Sequence, residues 1–420
     1  MPGYRALAQD REFRALFAAH VVSVAGDQFA RVALTVHVYD RTASTGLTAL
    51  TYALTFLPDL VGGPVLAGLA DRFARTRVMV AADLLRVALL VLMAVPGVPL
   101  WVLAALLVQV QFAGAPHGAA RAALLPQVLP DARYPLGQAV LSTVTQAAQV
   151  AGFLTGGALV AWLGPGWVLL ADAATFAASA VLVGVFVRPR PAPRRPHVRA
   201  WPADLVGGAR LVWHDHRLRA LVALACVSGF YIAGEALAVP YAAALGAGAG
   251  GVGLIFGAYA AGAAAGMLLL ARLDEDLQLR LMPWLAIAAC AALVPAALRP
   301  GLAVSLALFA LSGAASAYHL VANTRFVRAV PDASRGQAFG LAVTALRVSQ
   351  GTGVAVAGLA AETTAAHRVV AAAGALGVLA AGGAAVVWWL SAAPSRSGGS
   401  SRWGAPSRSD GQDGRQRRYG

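Results

Sequence analysis

Ionisable side chains are scarce in this chain, and several sit where a charge is hardest to keep. Asp27 and Arg31 lie at i, i+4 inside one long apolar run, on the same helical side as His20, and Asp83 and Arg86 lie at i, i+3 inside another. Spacings of three and four bring side chains together on a helix, so each pair is expected to close an ion pair. Asp59, which follows Pro58, and Glu235 have no opposite charge within a helical turn. Carboxylates placed this way can take up and release a proton as water reaches them alternately from either side, and Glu235 is the first candidate for that role. Arg347 is expected to reach across to a distant acid or to bind an anionic substrate. Asp172, near the start of its run, is expected to cap or pack. His20, His37 and His319 are expected to be packed histidines. Tyr52, Phe56, Phe230, Tyr231, Tyr259 and Trp284 are candidates to line an amphipathic cavity.

The elements that must hold these residues follow from composition. Of 420 residues, 59% are hydrophobic and 12% charged, with a mean hydropathy of +0.67. Soluble domains carry about 25% charged residues, so a water-soluble fold is excluded and a polytopic membrane protein expected. A bilayer core of about 30 Å needs about 20 apolar residues per helix. Twelve such runs are present, near 15–39, 46–70, 77–95, 98–115, 137–161, 166–187, 220–244, 252–271, 281–298, 301–322, 337–361 and 366–390. Backbone polar groups in lipid must pair within the segment, so the runs are helices and the fold class is all-α. The first run carries Asp27 and Arg31 and is too long for a cleaved leader. Cys226 and Cys290 both lie in apolar runs, which argues against a disulfide framework or a zinc site. There is no Gly-rich phosphate loop, metal-spaced His pair or nucleophile–base set at the end of a span. No cofactor and no enzyme activity are expected.

All 33 basic residues are arginine. Twelve spans with both termini inside leave three of them outside (Arg41, Arg299, Arg368) and three within spans (Arg31, Arg86, Arg347). The rest fall on the inner side, among them Arg121, Arg133 and the run from Arg188 to Arg219. The positive-inside rule therefore predicts cytoplasmic termini in a cell inner membrane. It also accounts for most of the +14 net charge, which otherwise would suggest a nucleic-acid partner.

The chain repeats itself. Pro130-Asp131-Ala132 recurs as Pro331-Asp332-Ala333, and Leu69-Ala70 recurs as Leu270-Ala271, both at an offset of 201 and at matching topological positions. Between the copies lies a Pro/Arg stretch opening Arg188-Pro189-Arg190-Pro191, a composition that resists regular structure. The expected organisation is a six-helix unit over 1–187, a cytoplasmic linker over 188–219, a second six-helix unit over 220–391 and a disordered basic tail over 392–420.

The segment after the second run, Ala67-Gly68-Leu69-Ala70-Asp71-Arg72-Phe73-Ala74-Arg75-Thr76-Arg77, resembles the signature loop Gly-x-Leu-Ala-Asp-Arg-x-Gly-Arg-Arg-Arg of the major facilitator superfamily. Asp71, Arg72, Arg75 and Arg77 stand where that pattern wants them. The first glycine is displaced to Gly68 and the second is replaced by Ala74. The resemblance implies two six-helix parallel repeats and a latch in which these charges hold the halves together on the cytoplasmic side in one state only. Gly26-Asp27-Gln28, the Ala120-Arg121-Ala122 segment and Val330-Pro331-Asp332-Ala333-Ser334-Arg335-Gly336 are similar to the macrolide-efflux and enterobactin-export branch. Two features depart from the superfamily's drug/proton antiporters. The fourth run has Gln109 and Gln111 but no arginine, and Phe153 stands where the fifth-span motif has proline.

Together these readings predict a secondary transporter working by alternating access, with proton-coupled efflux of a small amphipathic drug, natural product or siderophore. Import or facilitated passage of a nutrient or siderophore on the same fold is the alternative, and a transport-dead scaffold a remote one. The expected partners are the substrate, the bilayer and protons, with a monomeric protein. The candidate coupling residues are Asp27, Arg31, Asp59, Glu235 and Arg347, and the latch comprises Gly68, Asp71, Arg72, Arg75 and Arg77. Asp83, Arg86, Arg121, Asp332 and Arg335 are secondary candidates.

Overall fold

The computed structural model describes residues 7, 9–55, 73–129, 133–190, 210–330 and 335–392. The expected positions Phe56, Asp59, Gly68, Asp71, Arg72 and Asp332 lie outside these residues, as does the side chain of Arg335. The described chain is helical: α1 (Arg11–Thr42), α2 (Thr45–Leu54), α3 (Arg75–Met93), α4 (Leu100–Val128), α5 (Arg133–Leu163) and α6 (Pro165–Phe186) come before residue 190. After it come α7 (His216–Cys226), α8 (Ser228–Ala236), α9 (Ala238–Ala244), α10 (Gly248–Leu270), α11 (Glu275–Ala291), a 3₁₀ turn (Val294–Leu298), α12 (Leu302–Ala315), α13 (Tyr318–Ala329), α14 (Arg335–Thr363) and α15 (Ala366–Ala392). These elements are consistent with the expected twelve spans, with α7–α9 and α12–α13 each following one another within a single apolar run.

Eight described segments are long and apolar enough to cross a bilayer. Helices α1, α3 and α14 are long enough, at 32, 19 and 29 residues, yet are too polar to join that set. They carry Asp27 and Arg31, Asp83 and Arg86, and Arg347. Charged groups are tolerated at membrane depth only where they face protein or water, so these three helices must turn those residues toward protein or an interior cavity.

The starts of α1, α2, α7 and α11 are capped by short polar side chains, which satisfy backbone N–H groups that have no intrahelical partner. Asp10 accepts from Phe13 N at 3.0 Å, Asp274 from Leu277 N at 2.8 Å, and Asp215 from Arg217 N at 2.7 Å. Ser44 Oγ accepts from Leu47 N at the opposite end of the bundle. Helix α4 runs well past the expected end of its span near residue 115. Pro116 and Pro126 lie inside it, and Arg121 is part of the helix rather than of a loop. Neighbouring helices make such interior prolines tolerable in membrane spans.

Within α1–α6, α1 packs on α5 and α6, and α3 on α4 and α6; within α7–α15, α10 packs on α12, α8 on α14, and α11 on α15. The two groups meet through α5 against α10 and α2 against α14. The α5–α10 crossing is close because Gly157 and Gly253 face each other; a methyl carbon on either would stand 2.6 Å from the other's Cα. Beside it, Phe256 stacks on Phe153 at 5.0 Å and on Tyr52 at 5.8 Å between ring centroids. All of these junctions lie toward the end of the bundle that carries residues 42–46, 163–165 and 363–366. At the other, Arg-rich end, the described ion pairs stay within one group. Glu12 pairs with Arg190 at 2.7 Å, and Glu275 with Arg325 at 2.8 Å and Arg328 at 2.6 Å.

A two-chambered cavity between the helix groups

A cavity of about 600 Å³ lies between the two groups. Its wall is largely apolar and aromatic, with Phe153, Tyr231, Tyr259, Phe326 and Phe339 among its residues, and it includes the charged groups Arg31 and Glu235. Leu221, Met267, Phe326 and Phe339 sit on the parts of α7, α10, α13 and α14 nearer the Arg-rich end, so the chamber extends toward that end. A second chamber of about 400 Å³ reaches in among α1–α6 and is polar: Asp27, Gln28, Arg31, Arg86, Asp172 and Arg347 all contribute. Arg31, Gln149, Ile232 and Gln350 line both chambers and form their common wall.

Glu235 lies at the junction of the two helix groups. Its Oε2 accepts a hydrogen bond from Tyr52 Oη at 2.7 Å, so the carboxylate on α8 is tied to α2. Arg31 stands beside this contact, with its guanidinium carbon 5.8 Å from the ring centroids of both Tyr52 and Phe153. That distance is within cation–π range. Tyr231 on α8 bonds His319 Nε2 at 2.8 Å, which places His319 in the chamber wall rather than only in the packing.

The expected pairing of charges along single helices is not what the structure contains. No carboxylate lies within ion-pair distance of Arg31 or Arg86 among the described residues. Asp83 instead takes a hydrogen bond from Ser179 Oγ at 2.6 Å and lies 3.5 Å from His117 Nε2. Arg86 turns the other way, donating to Val110 O at 3.3 Å and lying over the Phe176 ring at 4.7 Å. A buried helix has other helices on every side, and these outcompete the neighbour one turn away. Asp172 is also corrected: it is 1% exposed, contributes to the polar chamber, and neither caps a helix nor only packs. Its carboxylate lies against the α1 backbone, where a Cβ on Gly26 would collide with Asp172 Oδ1 and Thr175 Oγ1.

The other expected residues divide. Arg347 lines the polar chamber and donates to Gln350 Oε1 at 3.2 Å. Arg121 bonds His20, which also bonds Thr145 Oγ1 at 2.8 Å, forming a polar crossing of α4, α1 and α5. Arg75 is buried and donates to Ala123 O at 2.8 Å, so it joins α3 to α4, and Arg77 is exposed. Tyr52, Tyr231 and Tyr259 line the chambers, whereas Phe230 faces a separate groove and Trp284 is 58% exposed and packs on Trp389. One buried group is misjudged from sequence and another is missed. Asp172 was read too near a helix end, and His117 follows Pro116, where the fourth span was expected to have stopped.

Solved membrane transporters share this fold. A POT family transporter solved in complex with 5-aminolevulinic acid superposes with a TM-score of 0.74, covering 91% of this chain and 97% of that one at 9% identity. A bacterial homologue of the iron transporter ferroportin, in an inward-facing state, superposes at 0.67 over 91% of this chain and 99% of that one, at 14% identity. At these identities the likeness is one of fold. In sequence, an uncharacterized MFS-type transporter of Bacillus subtilis (strain 168), YvqJ, is 29% identical over 178 residues. That match spans 41% of this chain and 42% of the relative's length. Residues 16–241, more than half the chain and including Asp27, Arg31, Asp172 and Glu235, match the family model for the Major Facilitator Superfamily, and the chain belongs to that superfamily of membrane transporters.

Proposed function

We propose that this protein is a secondary transporter that exports a small amphipathic compound in exchange for protons, by alternating access. The observation that carries the reading is the apolar chamber of about 600 Å³ between the helix groups, with Glu235 bonded across its inner end by Tyr52. A chamber of this size and lining suits a drug-sized amphipath. Residues 1–187 and 220–391 are the two units that rock, and 188–219 is the linker between them. The Arg-rich end, with both termini, faces the cytoplasm of the cell inner membrane, where positive charge is retained. The chamber then opens inward, and the α2–α14 and α5–α10 junctions are the closed external gate. Substrate loads from the cytoplasmic side and the halves rock. The Tyr52–Glu235 contact breaks, and a proton binding at the opened carboxylate resets the cycle. The protein acts as a monomer in this reading, since each chamber is complete in one chain.

The test is proton movement in proteoliposomes holding wild type or Glu235→Gln, screened with amphipathic antibiotics and siderophores. Substrate-evoked proton flux that is lost in the variant supports the antiporter. Flux retained in the variant moves the proton to another carboxylate. Substrate movement with no proton flux leaves a facilitator, and uptake driven in the opposite sense makes the protein an importer.

A further inference from the structure

Four carboxylates, Asp27, Asp83, Asp172 and Glu235, are held within or beside the polar chamber with three guanidiniums, Arg31, Arg86 and Arg347. Asp83 and Glu235 each have a specific short partner, Ser179 and Tyr52. Among the described residues Asp27 and Asp172 do not, apart from Thr175 Oγ1, which lies 3.1 Å from Asp172 Oδ1. Both contribute to the same chamber, on α1 and α6, and these two helices touch where Gly26 leaves room for the Asp172 carboxylate. Asp172 Oδ1 therefore sits against the residue that precedes Asp27. Two ionised carboxylates at close quarters in a low dielectric repel strongly, and one proton held between them removes the cost.

We propose that Asp27 and Asp172 act as one site that binds a single proton, and that this site, in the polar chamber, is distinct from the Glu235 contact in the substrate chamber. The inference rests on the transporter reading and deepens it, because it adds to the Glu235 carboxylate a second protonation site, in a place that substrate does not occupy. The pair is faced by Arg31 from its own helix, by Arg86 and Asp83 from α3, and by His117 from α4. Arg347 and Gln350 from α14, Tyr52 from α2 and Gln149 from α5 complete the chamber. Buried Gln28 Oε1, at a residue 4% exposed, has no hydrogen-bond partner among the described residues and is available to a proton-bearing group or water in the chamber.

Arg31 gives the site its connection to substrate. It lies one turn beyond Asp27, it lines both chambers, and its charge acts on both Asp27 and Glu235. When the pair holds its proton, it carries one negative charge and Arg31 remains over the Tyr52 and Phe153 rings. When the proton leaves to water, the pair carries two negative charges and draws the guanidinium toward Asp27, away from Tyr52 and Glu235. A proton held by the pair is thus felt at the Glu235 gate through a single side chain.

The experiment is infrared difference spectroscopy of the full-length protein in lipid, titrated from acid to alkaline, following the carbonyl stretch of a protonated carboxyl group and its shift in D2O. The probe is the proton itself, so no substrate is needed. The expected result is one such band at neutral pH, retained in Glu235→Gln and lost in Asp172→Asn, with Asp27 then remaining ionised. Thr175→Val keeps both carboxyls and removes a hydrogen bond from Asp172, and it should shift the band without abolishing it. This milder variant decides the matter if Asp172→Asn does not fold. A band that survives Asp172→Asn unchanged, or that vanishes in Glu235→Gln alone, or no band at neutral pH, overturns the proposal. Because the spectra need no transport, a band of the expected behaviour in a protein that moves nothing would overturn the transporter reading and leave this site standing.

Discussion

The contact between Tyr52 and Glu235 is where one side chain bears on the state of the protein. It joins helices of the two groups by one hydrogen bond of 2.7 Å in a buried place. A net hydrogen bond is worth about 1 kcal/mol, or roughly a fivefold change in the ratio of two states. Tyr52→Phe removes the hydroxyl and leaves the ring, so stacking on Phe256 is kept. The expected outcome is a several-fold rise in the population open at the end bearing residues 42–46, with little loss of thermal stability. Double electron–electron resonance between labels on α2 and α14 measures it, and an unchanged distance distribution would show that the bond is not part of the gate. Glu235 was legible in the sequence as a carboxylate inside an apolar run with no partner on its own helix. Its partner was not, since 183 positions separate the two residues. The same limit explains Asp83, whose neighbour in the sequence is Arg86 and whose neighbour in space is Ser179, 96 positions away. Periodicity reports what lies along one helix, and the preference between helices is decided by packing.

At the scale of elements, the N-terminus of α2 is completed by a side chain from α14. Glu362 Oε1 accepts from Ser44 Oγ and from Gly46 N, each at 2.6 Å, and Thr45 Oγ1 reaches Gly358 O at 3.4 Å. A carboxylate at a helix N-terminus is favoured by the free N–H groups and by the helix dipole. The Ser44 hydroxyl and the Gly46 N–H hold the Glu362 carboxyl below the usual carboxylate range. The sign follows: the ionised form makes the contact, so the latch is present above the ordinary carboxylate pKa and is lost as pH falls through the lowered value. Acidifying the solution at this end is expected to favour separation of α2 from α14. Glu362→Gln should weaken the latch at neutral pH and remove its pH dependence. Solvent accessibility of a cysteine placed at Thr45, followed by alkylation rate against pH in both backgrounds, tests this. Equal pH profiles in the two backgrounds would exclude Glu362 as the sensor. Glu362 lies just past the eleventh apolar run, which ends near 361, and its role is not legible there because a cap supplied from another helix leaves no local pattern. The onset of the apolar run near residue 46 does leave one, and it matches the start of α2 at Thr45 to within one residue.

For the whole molecule, the Arg-rich end and the opposite end are held by different kinds of contact. At the Arg-rich end Glu12 binds Arg190 and Glu275 binds Arg325 and Arg328, so each group is stiffened within itself. At the other end the bonds cross between groups: Tyr52 to Glu235, Ser44 to Glu362, Gly157 against Gly253. Two internally tied groups joined at one end suit the proposed rocking, and the charges that predict the topology in the sequence also supply the internal ties. If the groups must separate at the joined end in each cycle, fixing that end must stop transport without disturbing the fold. Ser44→Cys with Glu362→Cys, in a background where Cys226 and Cys290 are replaced, puts two thiols where the native oxygens are 2.6 Å apart. Oxidation is expected to abolish substrate movement in proteoliposomes and reduction to restore it, while the reduced double variant retains measurable activity. Substrate movement that continues with the disulfide formed would mean that α2 and α14 stay together throughout. The chamber would then have to open by a local path instead of by the rocking of two bodies.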